Sequence, residues 1–247
     1  MKKYNLEFIS DQNLYEHVKT TVLKYRFHID LAEFNKNLLD PIKLTFDAKV
    51  YKKTIEATLE AEIIRQMDKS NTNHIGYFHQ NIFHYFGHGW TVPIKGYDII
   101  NTEQRIYVEM KNKHNTMNSS SSQKTYMRMQ NTLLKDSKAL CYLVEVIASK
   151  SQNIVWKTSL DNLSVSNERI RRISIDQFYA LVTGQKQAFK QLCAVLPTII
   201  ADVVDDIKLN EASNTVIDEL KHIDKNLLNS VYLLSFKTYE GFDDFHV

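Results

Sequence analysis

Nine consecutive residues, Leu140-Cys141-Tyr142-Leu143-Val144-Glu145-Val146-Ile147-Ala148, carry one charge and no glycine or proline. The run is too short for a typical helix and too evenly apolar for a strand with one wet face. Strands of this kind lie inside sheets that are covered by helices on both sides. The stretch therefore points to an α/β chain. Scarce turn formers agree: 6 glycines and 3 prolines in 247 residues disfavour a many-turned β-sandwich. That length suits one large domain or two small ones. The most apolar stretch, 192–204, contains Pro197 and Asp202, which argues against a membrane span. The N-terminus lacks the apolar run of a signal peptide. Cys141 and Cys193 lie in apolar surroundings without metal-ligand spacing, so they read as reduced core residues of a cytoplasmic protein.

Helical periodicity dominates the first seventy residues. Apolar side chains recur at Leu14, Val18, Val22 and Tyr25, and again at Ile55, Leu59, Ile63 and Met67. Between them, Ile42 to Val50 alternates like a strand. Asn71 and Asn73 interrupt the pattern, and a helix resumes from Ile75 to Phe86, ended by Gly87 and Gly89. Three short strands follow, at Trp90–Pro93, Tyr97–Ile100 and Arg105–Lys111. A helix begins at Asn118 or a serine and runs to about Leu134, and the apolar strand comes next. Ile175–Val182, Ala188–Val195 and Thr198–Ile207 read as helices. Three segments result: a mostly helical region over 1–70 packed on the core, a core over 71–205, and an acidic helical segment over 206–247.

The strand at 105–111 carries the chemistry. Alternation sends Ile106, Val108 and Met110 to one face and Tyr107, Glu109 and Lys111 to the other. The first set is core; the second puts an acid and a base side by side. An even hairpin centred between Glu103 and Gln104 would bring Asp98 opposite Glu109, with Cβ atoms about 5 Å apart. Two opposed carboxylates repel unless a cation lies between them, and hard oxygen ligands suit magnesium, with manganese as a substitute. Acid-x-Lys occurs five times in the chain, and Asp47/Lys49, on the other alternating segment, is a rival.

Asp98, ten intervening residues, then Glu109-Met110-Lys111, within the order helix, three strands, helix, strand, resembles the PD-(D/E)XK nuclease superfamily. Longer runs are similar to a narrower group. These runs are Asn73 to Gln80, Val108 to Ser119, Cys141 to Ala148 and Arg169 to Asp176. The group comprises type II restriction endonucleases cutting GGNCC- or GGWCC-like sites, and the resemblance covers about residues 5–205. It implies a restriction-endonuclease-like core, a mixed central sheet flanked by helices, with an N-terminal helical region and C-terminal helices. It further implies that Asp98, Glu109 and the Met110 carbonyl hold one magnesium while Lys111 orients or deprotonates the attacking water. Two positions depart from the superfamily pattern: Tyr97 replaces the usual proline, and Gln80 stands where a helix glutamate often serves the metal-water shell. The implied products carry 5′-phosphate ends.

Reading a DNA sequence requires donors and acceptors that reach base edges. Asn112, Lys113, His114, Asn115, Thr116, Asn118, Ser119, Ser121, Gln123 and Lys124, with Arg128 one turn on, leave the active strand and enter the next helix. Arg169, Arg171 and Arg172 form a second basic group, more suited to phosphates. Residues 104–172 hold twelve Lys/Arg against five Asp/Glu, and 199–247 ten Asp/Glu against four Lys/Arg. A basic middle and an acidic tail suit a chain with one face on double-stranded DNA. A palindromic site calls for a homodimer, and a cognate DNA methyltransferase would be its functional partner. The alternatives are a repair or structure-specific nuclease with the same core, and a non-catalytic DNA-binding module.

Overall fold

The structure, a computed structural model, describes residues 2–160, 163–207, 213–236, 238–239 and 246 of the chain. Of the acidic C-terminal segment, 208–212, 237, 240–245 and 247 lie outside the described residues. Two compact units emerge: Met1–Leu23 with Ile75–Ile207, and Lys24–His74 with Lys208–Val247. This groups the chain differently from the segments 1–70, 71–205 and 206–247, because burial and not sequence order assigns each helix.

The first unit is built on one mixed sheet in the order β1-β2-β3-β4-β6-β5. Its strands are β1 (Trp90–Thr91), β2 (Ile99–Asn101), β3 (Ile106–Lys113), β4 (Leu140–Ile147), β5 (Asn153–Leu160) and β6 (Leu163–Ser174). The central strands β3, β4 and β6 run parallel, and antiparallel pairs flank them at both edges. The apolar run of β4 is buried on both faces as its composition requires. Tyr142 and Val144 join Val108, Met110 and Ile173 in the larger core, which is closed by α1 (Asp11–Val22), α6 (Ile175–Thr183) and α7 (Ala188–Ile207). Cys141 and Leu143 point the other way and pack with Ile170 and Trp156 under α5 (Ser119–Lys135). Each fully buried aliphatic side chain, such as Leu143 or Leu192, contributes roughly 1.5–3 kcal/mol over an exposed one.

Local signals account for the helix ends. Asn118 caps α5, its side chain accepting the Ser121 N–H at 2.8 Å. Gly184 closes α6 with φ 74°, a left-handed conformation that glycine adopts without steric cost. The face of α7 formed by Ala188, Leu192, Ile199 and Val203 is buried, and the helix continues through Pro197 instead of splitting into 188–195 and 198–207.

In the second unit the described elements are α2 (Leu31–Asn35), α3 (Pro41–Val50), the first part of α4 (Ile55–Asn81), α8 (Val216–Ile223) and α9 (Leu227–Phe236). Phe34, Leu44, Leu59, Ile63, Leu220 and Val231 lie in its core. Here the strand expected at 42–50 is a helix. Asp40 accepts the N–H groups of Ile42 and Lys43 at 2.9 and 3.3 Å, and Pro41 occupies the first turn. That cap outweighs the alternation. Leu44 and Ala48 are buried, whereas Phe46 and Val50 are each 66% exposed, so the four apolar residues share no face. The rival Asp47/Lys49 pair therefore lies on a helix, and Asp47 bonds to Lys43. The interruption expected at Asn71 and Asn73 is also absent: α4 is continuous there, and the Asn71 side chain accepts the Arg26 N–H at 2.9 Å.

The β5–β6 hairpin did not register in the sequence. Its outer stretches, such as Lys157-Thr158-Ser159, are polar and largely exposed, with few apolar residues to mark a period. Among the described residues no single helix is long and apolar enough to cross a membrane.

In the first unit, His79 lies at the end of α4 beside Phe78, with ring centroids 5.5 Å apart. Its Nδ1 is inaccessible and lacks a hydrogen-bond partner. Burial, with His17 nearby, pushes its pKa down to about 4. An unfolded histidine binds its proton near 6.5, so the contribution of this group is complete above that pH. It is lost as pH falls from 6.5 towards 4, by up to ~3 kcal/mol. Thermal unfolding of His79→Phe should accordingly be less sensitive to acid across this window than that of the parent. An equal slope for both chains would show that His79 is not responsible.

Candidate active site

The chemically rich residues collect at the C-terminal end of β3 and β4, on the face covered by α5. The β2–β3 register is the one that the hairpin spacing predicts, with Ile99 opposite Val108, Ile100 opposite Tyr107 and Asn101 opposite Ile106. Strand pairing begins at Ile99. Asp98, immediately before it, donates its backbone N–H to the Val108 carbonyl at 2.9 Å. The Asp98 Oδ2 in turn accepts the N–H of Met110 at 2.7 Å. Its carboxylate is thus anchored to β3 one residue past Glu109.

Glu109 is 9% exposed and engages two cations. Lys111 Nζ donates to Oε1 at 2.7 Å, and Arg128 Nη2 donates to Oε2. Burial, then the Glu109 charge, raise the pKa of Asp98, against the Met110 N–H, Lys111 and Arg128. The direction follows from a carboxyl taken partly out of water with a second acid nearby.

Arg128 is fixed from three sides. Besides Glu109, its Nη1 donates to the Gly96 carbonyl at 3.1 Å, and its guanidinium lies 4.6 Å from the centroid of the Tyr97 ring. Gly96 has φ 102°, a conformation that a side chain would strain, so glycine frees its carbonyl for this contact. The Tyr97 hydroxyl and Thr132 Oγ1 are 2.8 Å apart, which steadies the ring. A cavity of about 490 Å³ opens beside this cluster, lined by Glu109, Lys111, Thr116, Met117, Ser121, Lys124, Thr125 and Arg128. One acid against three cations and three hydroxyls makes a pocket chemically suited to a phosphate group.

The structure brings Asp98, Glu109, Met110 and Lys111 together. Gln80 lies half-buried in the last turn of α4 and is not among the residues lining this cavity. The expectation that Tyr107, Glu109 and Lys111 occupy a non-core face is corrected: Tyr107 packs against the cluster under α5. Asn112 and Lys113 end β3. His114 is tied to Ile147, its N–H donating to that carbonyl at 3.0 Å, and Thr116 Oγ1 donates to the Lys113 carbonyl at 2.8 Å. Asn115 is exposed in the turn, Asn118 caps α5, and Ser119 and Ser121 form its exposed first turn. Gln123 donates to the Ser159 carbonyl at 3.1 Å, and Lys124 is exposed at the cavity wall.

The second basic group is not one patch. Arg169 and Arg171 alternate with Arg172 along β6, so Arg172 faces the opposite side of the sheet. Arg171 Nε donates to Asn153 Oδ1 at 2.7 Å. Arg172 Nη2 donates to Oε1 of Glu145, which is 1% exposed and lies opposite Lys111 in the β3–β4 register. The sequence marks Glu145 only as part of an apolar strand, and nothing in its motifs marks Thr125 or Tyr97 as a contributor. A usable signal existed for Thr125: Ser121, Lys124, Thr125 and Arg128 fall at i, i+3, i+4 and i+7, one helix face.

Removing the partner of a buried charge is costly, on the order of 3–5 kcal/mol. Arg172→Ala should therefore lower the thermal midpoint of the protein without DNA, and adding Glu145→Gln to it should restore part of the loss. An Arg172→Ala chain as stable as its parent would free this arginine for another role.

The model of the Eco47II restriction endonuclease family matches residues 6–205. The chain is also similar to type II restriction enzyme Sau96I of Staphylococcus aureus, 32% identical over 221 residues, 85% of each chain. It is 33% identical over 218 residues to type II restriction enzyme Eco47II of Escherichia coli, covering 81% of this chain and 89% of that one. The acid pair, its lysine and the phosphate-suited cavity all fall within the matched span, and the chain belongs to the Eco47II restriction endonuclease family.

Proposed function

We propose that this endonuclease is a PD-(D/E)XK enzyme that hydrolyses double-stranded DNA at a short palindromic site of the GGNCC/GGWCC-like type. In this reading it depends on magnesium, with manganese as substitute, and leaves 5′-phosphate ends. The carrying observation is the convergence of Asp98, Glu109 and Lys111 beside a cavity whose other walls are cationic and hydroxylic. The donor set suits a hard divalent ion: two carboxylates, of which Asp98 ionises less readily for its burial and for the charge of Glu109, plus a backbone carbonyl on the same strand. Asp98, Glu109 and the Met110 carbonyl would hold it, and the chemistry it supplies when bound is Lewis acidity towards the phosphate and the attacking water.

The chain's own groups do the rest. Lys111 orients the water and takes part in its deprotonation. Lys124, Ser121 and Thr125 hold phosphate oxygens, while the turn 112–118 presents amides and ammonium groups to base edges. A P–O bond forms to the water oxygen, the P–O3′ bond breaks, and a proton ends on the 3′-oxygen. Symmetric reading of such a site calls for a homodimer, and in this reading the enzyme works in the cytoplasm beside a methyltransferase that protects the same site.

Plasmid incubated with the protein and magnesium should give discrete bands on a gel. A smear would favour a structure-specific or repair nuclease, and intact DNA a binding module. Lys111→Ala and Asp98→Ala should each abolish cleavage, a loss of at least ~10³-fold, while retaining specific binding in a mobility-shift assay. Full activity in either variant overturns the assignment.

A further inference from the structure

Glu109 has a cation on each oxygen: Lys111 on Oε1 and Arg128 on Oε2. A divalent ion held by Asp98 and Glu109 would share the Glu109 carboxylate with the Arg128 guanidinium, which places like charges in a partly buried site. Water cannot screen that repulsion well, because Glu109 is nearly inaccessible and Asp98 is partly desolvated. Arg128 therefore occupies the site as a surrogate for the ion. It also has an exit, since it lines the phosphate-suited cavity with Lys111 and Lys124, where the one acid is Glu109 itself. A phosphodiester entering that cavity supplies the alternative anion. Tyr97 lies beneath the guanidinium, its ring centroid 4.6 Å away, and a cation over a ring face has no fixed in-plane direction to break when it turns. This is the position at which the superfamily resemblance leads one to expect proline, so the departure from that pattern has a physical use.

We propose that Arg128 is a positioning residue that couples DNA binding to metal binding: it holds Glu109 closed to the ion until a DNA phosphate draws it away. This rests on the metal site assigned above to Asp98 and Glu109. Linkage makes the effect reciprocal, so DNA raises metal affinity by the factor by which metal raises DNA affinity. The device would confine a charged ion site to the DNA-bound enzyme.

Manganese binding tests it, read from the electron paramagnetic resonance signal of free Mn²⁺ and independent of cleavage. Without DNA, Arg128→Gln should bind Mn²⁺ roughly tenfold more tightly than the parent, whereas Arg128→Lys, which keeps the charge, should stay within about threefold. A duplex taken from the plasmid cleavage site should tighten Mn²⁺ binding by about tenfold in Lys111→Ala chains, which leave the DNA intact. The same duplex should do so by less than about threefold when Arg128→Gln is added. Tyr97→Leu, which removes the ring and no charge, should give part of the DNA-free gain. Mn²⁺ affinity unchanged by Arg128→Gln, in a chain whose circular dichroism and thermal midpoint match the parent, overturns the proposal. Glu109→Gln separates the two readings. If it binds Mn²⁺ as the parent does, the metal site itself is wrong; if it loses binding while Arg128→Gln changes nothing, only the coupling fails.

Discussion

The arrangement of this protein turns on two carboxylates, Asp98 and Glu109, held close together at the central strand β3. Left alone, such a pair would force one member to take up a proton or move out to solvent. The chain offsets that tendency. A backbone N–H of Met110 fixes Asp98, and Lys111 and Arg128 neutralise Glu109 from opposite sides. Electrostatic stress that would be a fault in an ordinary core is retained and balanced at this place, as functional sites commonly require.

Everything around the pair serves to hold it. The three parallel strands end together, so side chains from β3 and β4 emerge at one level, and α5 covers the rest of that face with Tyr126, Met129 and Leu133. The same helix turns a second stripe towards the site: Ser121, Lys124, Thr125 and Arg128. One element thus packs the sheet with its apolar side and lines the cavity with its polar side. Rigidity and chemistry are joined through the helical period, and a slip in the phase of α5 would lose both. The ion pair of Arg172 with buried Glu145 extends the same logic across β4, where a guanidinium neutralises a second buried acid.

Local signals made much of this legible. The spacing around Glu103 and Gln104 predicted the β2–β3 register, and the apolar run at 140–148 predicted a central strand, because both depend on neighbours in sequence. Alternation misled at 42–50, where Asp40 and Pro41 start a helix and the apolar residues divide between core and surface. The pairing of β5 with β6 was illegible since β5 lies at the sheet edge and both strands keep many polar, exposed residues. The three arginines of β6 looked like one basic cluster in a line of text, but a strand sends successive side chains to opposite faces.

By itself the sequence determined the α/β class, the acid-x-lysine strand and its pairing with Asp98. Each follows from side-chain period or hairpin spacing, which are short-range properties of the backbone. Only the tertiary structure decided that a second cation, Arg128, neutralises Glu109 beside Lys111. Glu109 and Arg128 are nineteen positions apart, and their meeting depends on how α5 is rotated on the sheet. That rotation is set by Tyr126 and Met129 packing against Cys141 and Leu143. Long-range packing chose the partner, because no local rule links the phase of a helix to a strand that it covers.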